Sequence, residues 1–258
     1  MIKKNFEKIS RVSVIIPTYN EESNIEKTLI AVKTQRCSVP IEIIVVDGKS
    51  EDNTVNIAKK YVNVLIAPER GKALQLNYAA LNSIGDLLIF IDADTLILPN
   101  YIDKMVKIFN KEKKLLACSA RFKYTNGIIK EFNIGSKKFS LTPQFFMNWA
   151  IYLYYKAKDI LNYPELAGCN ICVRRDVFFN VGGFKQPPRG WGVDKVFSDS
   201  LLYYIRKIKF GKIRIISSFH VYTSGRRVSI NRGIKKIKQY KSNWNLYTKL
   251  AKINKIKY

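Results

Sequence analysis

The chain has 258 residues, 47% of them hydrophobic and 25% charged, and it carries a formal net charge of +25. It is long enough to bury a full core, so one large domain is the simplest count. No apolar run approaches the roughly 18 residues that a bilayer-crossing helix needs, so we expect no membrane-spanning segment.

The charge is unevenly distributed along the chain. Residues 1–120 carry 17 Lys and Arg against 14 Asp and Glu, whereas residues 121–258 carry 28 against 6. No carboxylate side chain follows Asp199. The second half is therefore expected to face something anionic: a phosphorylated substrate, acidic lipid headgroups or nucleic acid.

The first half of the chain alternates strand and helix patterns. Short apolar, β-branched runs predict strands at 12–17, 41–46, 62–66, 87–91 and 115–120. One helix is expected to start near residue 20, and others are predicted over 52–61, 72–83 and 99–110, the last with Pro99 in its first turn. This alternation predicts βαβ units, and so an α/β fold with a mostly parallel sheet.

The second half has a different character. Residues 139–155 are rich in aromatic side chains, and a further strand is predicted at 213–216. Over 229–258, apolar side chains recur every three or four positions with lysines between them, which predicts a basic amphipathic C-terminal helix. Such a helix either lies in an anionic membrane surface or packs its apolar stripe on the domain. The lack of carboxylates favours the membrane.

The four cysteines are interpreted as free thiols in a reducing cytoplasm, because the chain starts Met-Ile-Lys-Lys-Asn without an apolar secretory segment. Cys169 and Cys172 have the spacing of a metal or redox pair. However, no second pair and no nearby histidine completes a zinc site. We therefore expect two small buried side chains.

The most informative stretch is the apolar run 87–91, which leads directly into Asp92 and Asp94. Ligands of open α/β sheets bind just beyond the carboxyl ends of strands. Residues two apart in a strand point the same way, roughly 6.6–6.8 Å from each other. Two carboxylates so placed can share one divalent cation that also holds a substrate's phosphates. A solvated acidic turn is the alternative.

Six motifs in order resemble those of the family 2 glycosyltransferases, over roughly residues 11 to 228. They stand at 12–22 (VSVIIPTYNEE), 42–50 (EIIVVDGKS), 70–73 (RGKA), 92–94 (DAD), 168–175 (GCNICVRR) and 181–184 (VGGF). The resemblance implies a GT-A fold, with a Rossmann-like central sheet and helices on both faces. It also implies transfer of a sugar from a nucleotide donor, usually with Mg²⁺ or Mn²⁺ and with inversion at the anomeric carbon. We expect a domain over 1–228, with a donor part (11–98) and an acceptor part (115–228), followed by the helix over 229–258.

The resemblance also suggests which residues bind the donor. The turn that holds Pro17, Tyr19 and Glu21 would receive the base and ribose, with Asp47 as a further nucleoside contact. For Asp47 the alternative is an Asx turn with Gly48. Three basic side chains are expected to bind the phosphates. They are Lys72, at a helix start, and Arg226 and Arg227. An ordinary surface lysine is the alternative for Lys72.

Asp92 and Asp94 are the expected metal ligands, Asp94 the more direct one, while Asp92 is also a candidate ribose contact. His220, the only histidine, resembles the part of the family that closes over the diphosphate. It is a candidate metal or phosphate contact, with a purely structural role as the alternative.

The catalytic base is predicted to be Asp199, although Ser198 stands where the family usually has an acidic neighbour. Asp194 is the rival candidate, and a carboxylate that stabilises a helix N-terminus is the alternative for Asp199. An acceptor that is already an ionised lipid phosphate would need no base. Asn170 and Trp191 are expected in the acceptor region.

The sequence thus predicts an inverting, metal-dependent glycosyltransferase attached peripherally to the cytoplasmic face of the membrane. It would use a UDP- or GDP-sugar and a lipid-linked or membrane-proximal acceptor. One alternative is a soluble glycosyltransferase that acts on a small molecule or a polysaccharide. A nucleic-acid-binding protein is the alternative from another class, but it is disfavoured because no nucleic-acid-binding motif is present.

Overall fold

The computed structural model describes residues 6–125, 130–134, 137–141, 143–161, 163–188 and 191–225. The first part of the chain forms β1 (Val12–Thr18), α1 (Ile25–Lys33), β2 (Ile41–Asp47), α2 (Thr54–Lys59), β3 (Val64–Ile66), α3 (Lys72–Leu81), β4 (Leu87–Ile91), β5 (Thr95–Leu96) and α4 (Tyr101–Lys111). The second part forms β6 (Leu115–Tyr124), β7 (Lys130–Ile134), β8 (Lys137–Leu141), α5 (Pro143–Ile160), β9 (Asn170–Arg174), α6 (Arg175–Asn180), α7 (Val193–Ile208) and β10 (Lys212–Thr223).

Eight strands form one sheet in the order β3-β2-β1-β4-β9-β6-β10-β5, while β7 and β8 pair with each other. The strands β3, β2, β1 and β4 are parallel, as are β6 and β10. The exceptions are β9, which runs antiparallel to both of its neighbours, and the short β5. The predicted α/β fold with a mostly parallel sheet is confirmed.

Helices cover both faces of the sheet, as predicted, because the strands are apolar on both sides. On one face α1 and α4 pack their buried side chains on β1 and β4. On the other face α3, α6 and α7 do the same, with a cluster of aromatic rings around Phe178 and Phe197. Strands buried on both faces, such as β4, have the continuous apolar sequence that predicted them.

One guanidinium ties the antiparallel strand to its surroundings. Arg174, at the end of β9, is 3% exposed. It donates to the carbonyl oxygens of Leu115 (3.0 Å), Phe109 (2.8 Å) and Glu7 (3.4 Å). Burial lowers the pKa of Arg174. The side chain therefore joins β9, α4 and the start of β6 through hydrogen bonds that no apolar residue could replace.

Several element boundaries differ from the sequence prediction, among them the start of α4 and the length of β10. The helix predicted from Pro99 begins at Tyr101, because Asn100 adopts a left-handed conformation with φ 62°. The strand predicted at 213–216 extends over the whole of β10, whose ladder with β6 is interrupted between Ile216 and His220. At this interruption three residues of β10, 217–219, have no partner in β6.

The predicted C-terminal helix at 229–258, together with Arg226 and Arg227, lies outside the described residues. Within the ranges that are described, no helix is both long and apolar enough to span a membrane. Cys169 and Cys172 are buried, as expected.

Candidate active site

A cleft of about 640 Å³ opens at the carboxyl ends of β1 and β4. The first half of the chain lines it with the turn after β1, the start of α3 and the acidic end of β4. The second half supplies the facing wall, which includes Tyr124, Tyr155, Gly168 and Asp194. Parallel strands end together, so short segments distant in sequence meet at this edge.

The acidic end of β4 is held in place by backbone hydrogen bonds. The Asp92 N–H donates to the carbonyl oxygen of Cys169 (3.2 Å), and the N–H of Ser224 donates to the carbonyl oxygen of Asp94 (3.2 Å). The carboxylate of Asp94 accepts a hydrogen bond from the hydroxyl of Thr223 (3.3 Å). Both aspartates line the cleft, as the sequence predicted.

Lys72 begins α3 and reaches across to Asp92, with 2.5 Å between Nζ and Oδ1. Desolvation in the cleft lowers the pKa of Lys72, but the negative charge and hydrogen bond of Asp92 outweigh this effect and raise the pKa overall. Lys72 is therefore a fixed positive charge beside the two aspartates. This is the placement that a phosphate-binding lysine needs.

The turn after β1 brings Pro17, Tyr19 and Glu21 to the cleft. The guanidinium of Arg70 stacks on the ring of Tyr19, 3.7 Å from its centroid. A flat aromatic surface and a buried carboxylate at one end of a cleft suit a nucleoside, because they offer stacking and a hydrogen-bond acceptor.

Gln75 of α3 connects the ends of β1 and β2 through its side-chain amide. Its side-chain N–H₂ donates to the carbonyl oxygens of Thr18 (2.8 Å) and Val46 (3.1 Å). Asp47 belongs to this support as well. It is fully buried and accepts hydrogen bonds from the hydroxyl of Thr18 and from the N–H and hydroxyl of Ser50. The structure places Asp47 at the end of β2, next to Thr18 of the cleft lining but not itself in that lining, and its role as a nucleoside contact stays a prediction.

The two candidate bases on α7 lie in different surroundings. Asp194 lines the cleft, and a Cβ atom at Gly168 would lie 2.8 Å from its Oδ2, so only glycine there allows this approach. Asp199 lies outside the cleft wall. Its carboxylate accepts hydrogen bonds from Lys195 and from the hydroxyl of Tyr163 (2.6 Å). The structure places Asp194 in the same cleft as Asp92 and Asp94, and it leaves Asp199 in an ion pair with Lys195.

Three other predicted residues do not line this cleft. Asn170 is fully buried, where its amide oxygen accepts from Ala120 N–H and its amide N–H₂ donates to Ala120 O. Trp191 lies under the ammonium group of Lys195, which is 5.0 Å from its ring centroid. His220 faces a different pocket, between β6 and β10.

The structure adds cleft residues to which the sequence analysis gave no role. Arg70 lies in one of the quoted motifs, so its position was a usable signal. Tyr124 and Tyr155 carried no such signal, because aromatic residues in a strand and a helix are ordinarily core. Burial, with the nearby Cys169 and Asp194, raises the pKa of Tyr124 to about 12. Its hydroxyl, like that of an ordinary tyrosine, is protonated at neutral pH and can donate a hydrogen bond.

A divalent cation fits this cleft. Among the described residues no group of three or more His, Cys, Asp or Glu side chains could enclose a metal ion. Mg²⁺ and Mn²⁺ do not need such a group when one or two carboxylates and substrate phosphates complete the coordination. Asp92 already forms an ion pair with the ammonium group of Lys72, so its carboxylate lies where a positive charge is stabilised. The hard oxygen donors of Asp92 and Asp94 therefore suit these ions.

The fold is that of the GT-A glycosyltransferases. The mannosyltransferase PcManGT from Pyrobaculum calidifontis, solved in complex with GDP-Man and Mn²⁺, superposes with a TM-score of 0.59 and 21% identity, over 84% of this chain and 57% of that one. The S. aureus protein TarS (residues 1–349), solved in complex with UDP-GlcNAc, superposes with a TM-score of 0.58 and 20% identity, over 85% of this chain and 60% of that one.

The chain belongs to glycosyl transferase family 2, whose family model matches residues 13–182. The glycosyltransferase AglE of Haloferax volcanii is 31% identical over 186 residues, which cover 67% of this chain and 55% of AglE. The chain spans 30% to 55% of the length of the curated relatives that it matches. The family and the fold predicted from the sequence are thereby confirmed.

Proposed function

We propose that this chain transfers a sugar, with inversion, from a UDP- or GDP-sugar to an acceptor, using Mg²⁺ or Mn²⁺. Residues 11–98 would form the donor-binding part and residues 115–228 the acceptor-binding part. The observation that carries the proposal is the meeting of Lys72, Asp92, Asp94 and Asp194 in one cleft. The similar proteins solved with GDP-Man and Mn²⁺ and with UDP-GlcNAc support this choice of donor.

The donor would lie along the first half of the cleft. Pro17, Tyr19 and Glu21 would receive the nucleoside, and Lys72 would approach the diphosphate from the start of α3. Arg70, stacked on Tyr19, adds a second positive charge on the same side. Because Arg70 is held against Tyr19 before the donor arrives, this side chain needs little rearrangement when the donor binds.

Asp92 and Asp94 would hold the cation. When bound, it supplies Lewis-acid stabilisation of the charge that develops on the departing nucleoside diphosphate. Lys72, at the start of α3, would stabilise the same charge with its ammonium group. The two aspartates also orient the diphosphate relative to the facing wall.

Asp194 is the proposed general base, in place of Asp199. In an inverting transfer the acceptor oxygen bonds to the anomeric carbon as the bond to the diphosphate breaks, and the electron pair leaves with the nucleotide. Asp194 would take the proton of the acceptor hydroxyl, because it is the carboxylate that faces the metal-binding pair. An acceptor that is an ionised phosphate would not need this step.

The acceptor is proposed to be lipid-linked or membrane-proximal, with the protein at the cytoplasmic face of an anionic membrane. The 28 basic residues against 6 acidic ones over 121–258 support this location. Exposed Trp149, Leu153 and Ile160 on α5 support it further, since they share one helix face at spacings of four and seven residues. A small-molecule or polysaccharide acceptor is the competing proposal.

A thermal-shift panel of nucleotide sugars with and without Mn²⁺ tests the donor and the metal together. The matching donor should raise the unfolding midpoint of the wild type only when Mn²⁺ is present. Asp94→Asn should lose this metal-dependent shift, while Glu51→Gln, which removes an exposed carboxylate outside the cleft, should keep it. No shift with any UDP- or GDP-sugar would overturn the proposal.

A further inference from the structure

A second pocket, of about 310 Å³, lies beyond one wall of the cleft. It is enclosed by α5, β6 and β10, and it shares Phe122 and Tyr155 with the cleft. The two rings stand edge to face, with centroids 6.0 Å apart. The volume is at the lower end of the range for small-molecule sites. We call this cavity the basic pocket.

The basic pocket exists because the ladder between β6 and β10 is interrupted. Ile216 pairs with Ala120, and His220 pairs with the next residue of β6, Arg121. The three inserted residues have no partner in β6, and two of them, Ser217 and Phe219, line the pocket. Interruptions of this kind often lie beside functional sites, where they redirect side chains.

The charged lining of the pocket is positive. Arg121 and Lys123 supply the charge, Asn148, Ser217 and His220 add uncharged polar groups, and none of the described carboxylates lines the pocket. In the part of the chain with described side chains, neither Arg121 nor Lys123 forms an ion pair. Burial, and then the charge of Lys123, lower the pKa of His220. Its buried Nε2 atom has no hydrogen-bond partner within the described structure.

The remaining lining is aromatic and apolar. Phe122, Tyr152 and Phe219 form most of it, and the guanidinium of Arg121 stacks on Tyr152, 4.6 Å from the ring centroid. A stacked guanidinium still presents its N–H groups at the edge, where they can bind a phosphate in a bidentate manner. Tyr152 also belongs to the α5 face that exposes Trp149 and Leu153, so apolar surface continues out of the pocket.

We propose that the basic pocket binds the phosphate group of a ligand that carries an apolar chain, and that it is the acceptor subsite of the transferase. The first part stands on the lining alone. The second part rests on the proposed function, and it follows from the shared wall. An acceptor anchored by its phosphate between Arg121 and Lys123 would reach the cleft past Phe122 and Tyr155.

Titration calorimetry with decyl phosphate, below the concentration at which it forms micelles, tests the first part. Wild type should bind decyl phosphate at least about tenfold more tightly than inorganic phosphate or decanol. Only decyl phosphate has both a phosphate for the basic side chains and an alkyl chain for the apolar side chains of the pocket. R121Q/K123Q should weaken this binding about tenfold or more. K113Q/K114Q, which removes two exposed lysines just before β6, should leave it unchanged.

Equal binding of decyl phosphate to R121Q/K123Q and to wild type would overturn the proposal. It would also be overturned if wild type bound inorganic phosphate as tightly as decyl phosphate. If the double variant does not fold, the exposed Lys123 alone, as K123Q, should still weaken binding severalfold. The metal-dependent shift with a nucleotide sugar should be the same in R121Q/K123Q and in wild type. A protein that binds decyl phosphate but no nucleotide sugar would refute the acceptor role and the proposed function, and leave the phosphate site standing.

Discussion

The two halves of the sheet differ in how they are built. Strands β3, β2, β1 and β4 are all parallel, and each is followed by a turn or helix start at the same edge. In the other half, β9 runs against its neighbours and β10 is interrupted. The regular half supplies Lys72, Asp92 and Asp94, and the irregular half supplies Asp194 and the basic pocket. A common edge thus forms the proposed donor side of the cleft, and the irregular strands shape the wall that faces it.

Removing a carboxylate from the regular half should have the largest effect. Asp94→Asn keeps the hydrogen-bond acceptor for Thr223 but loses the charge of the proposed metal ligand. Because metal stabilisation of the leaving group is worth several kcal/mol, transfer should fall about 10³-fold or more. Initial rates at saturating Mn²⁺ measure this, and circular dichroism checks the fold. A loss below tenfold would show that the metal is held elsewhere.

Replacing each of the two carboxylates of α7 by an amide, one at a time, tests the site residues of the irregular half. Asp194→Asn should lower kcat about 10²- to 10⁴-fold, as expected for loss of a general base. Asp199→Asn is the matched control, since it breaks only a half-buried pair with Lys195 and a hydrogen bond from Tyr163, and it should change kcat less than about threefold. The reverse order of effects would restore Asp199 as the base. Unchanged kcat in both variants would instead indicate an acceptor that is already ionised.

Breaking the junction between the halves should affect stability. Arg174→Met leaves buried carbonyl oxygens of Leu115 and Phe109 without their donor, at a cost of about 3 kcal/mol. Urea unfolding measures this loss. Arg11→Met, at an exposed arginine, should change stability by less than about 0.5 kcal/mol. A similar loss in both variants would mean that the hydrogen bonds of Arg174 contribute nothing specific.

The smallest effect should come from the lysine of the donor side. Lys72→Gln removes a point charge but keeps a polar side chain at the start of α3. A charge-assisted hydrogen bond to a phosphate is worth about 1.5–3 kcal/mol, so KM for the donor should rise about tenfold to 100-fold. Steady-state kinetics with varied donor test this. An unchanged KM would return Lys72 to the role of an ordinary surface residue.

The regular half was readable from sequence because burial on both faces leaves an unbroken apolar run. The strand predicted at 87–91 matches β4 residue for residue, and those predicted at 12–17 and 41–46 are each one residue shorter than β1 and β2. Asp92, Asp94 and Lys72 were readable because they directly follow a strand or begin a helix. Strand β9 was recognised only as part of a motif, because an antiparallel insertion has no periodicity of its own.

The site residues of the irregular half were harder to predict for a geometric reason. Asp194 and Asp199 are five residues apart on one helix, and at 3.6 residues per turn they point in directions about 140° apart. Sequence does not say which direction faces the cleft. Asp47 ends β2 and Asn170 begins β9, but their side chains accept hydrogen bonds from the backbone N–H groups of Ser50 and Ala120 and do not line the cleft. His220 follows the interruption of the ladder between β6 and β10, which no sequence pattern predicted.

The double hydrogen bond of Gln75 has a thermodynamic consequence. Because one amide group of α3 fixes the ends of β1 and β2, the segments that carry Tyr19 and Lys72 are ordered when the protein folds. A donor that enters this cleft need not immobilise them, so the conformational entropy lost on binding should be small. Gln75→Leu would remove one of the donors to each carbonyl group. The ends of β1 and β2 should then be less well ordered, and donor binding should lose more conformational entropy.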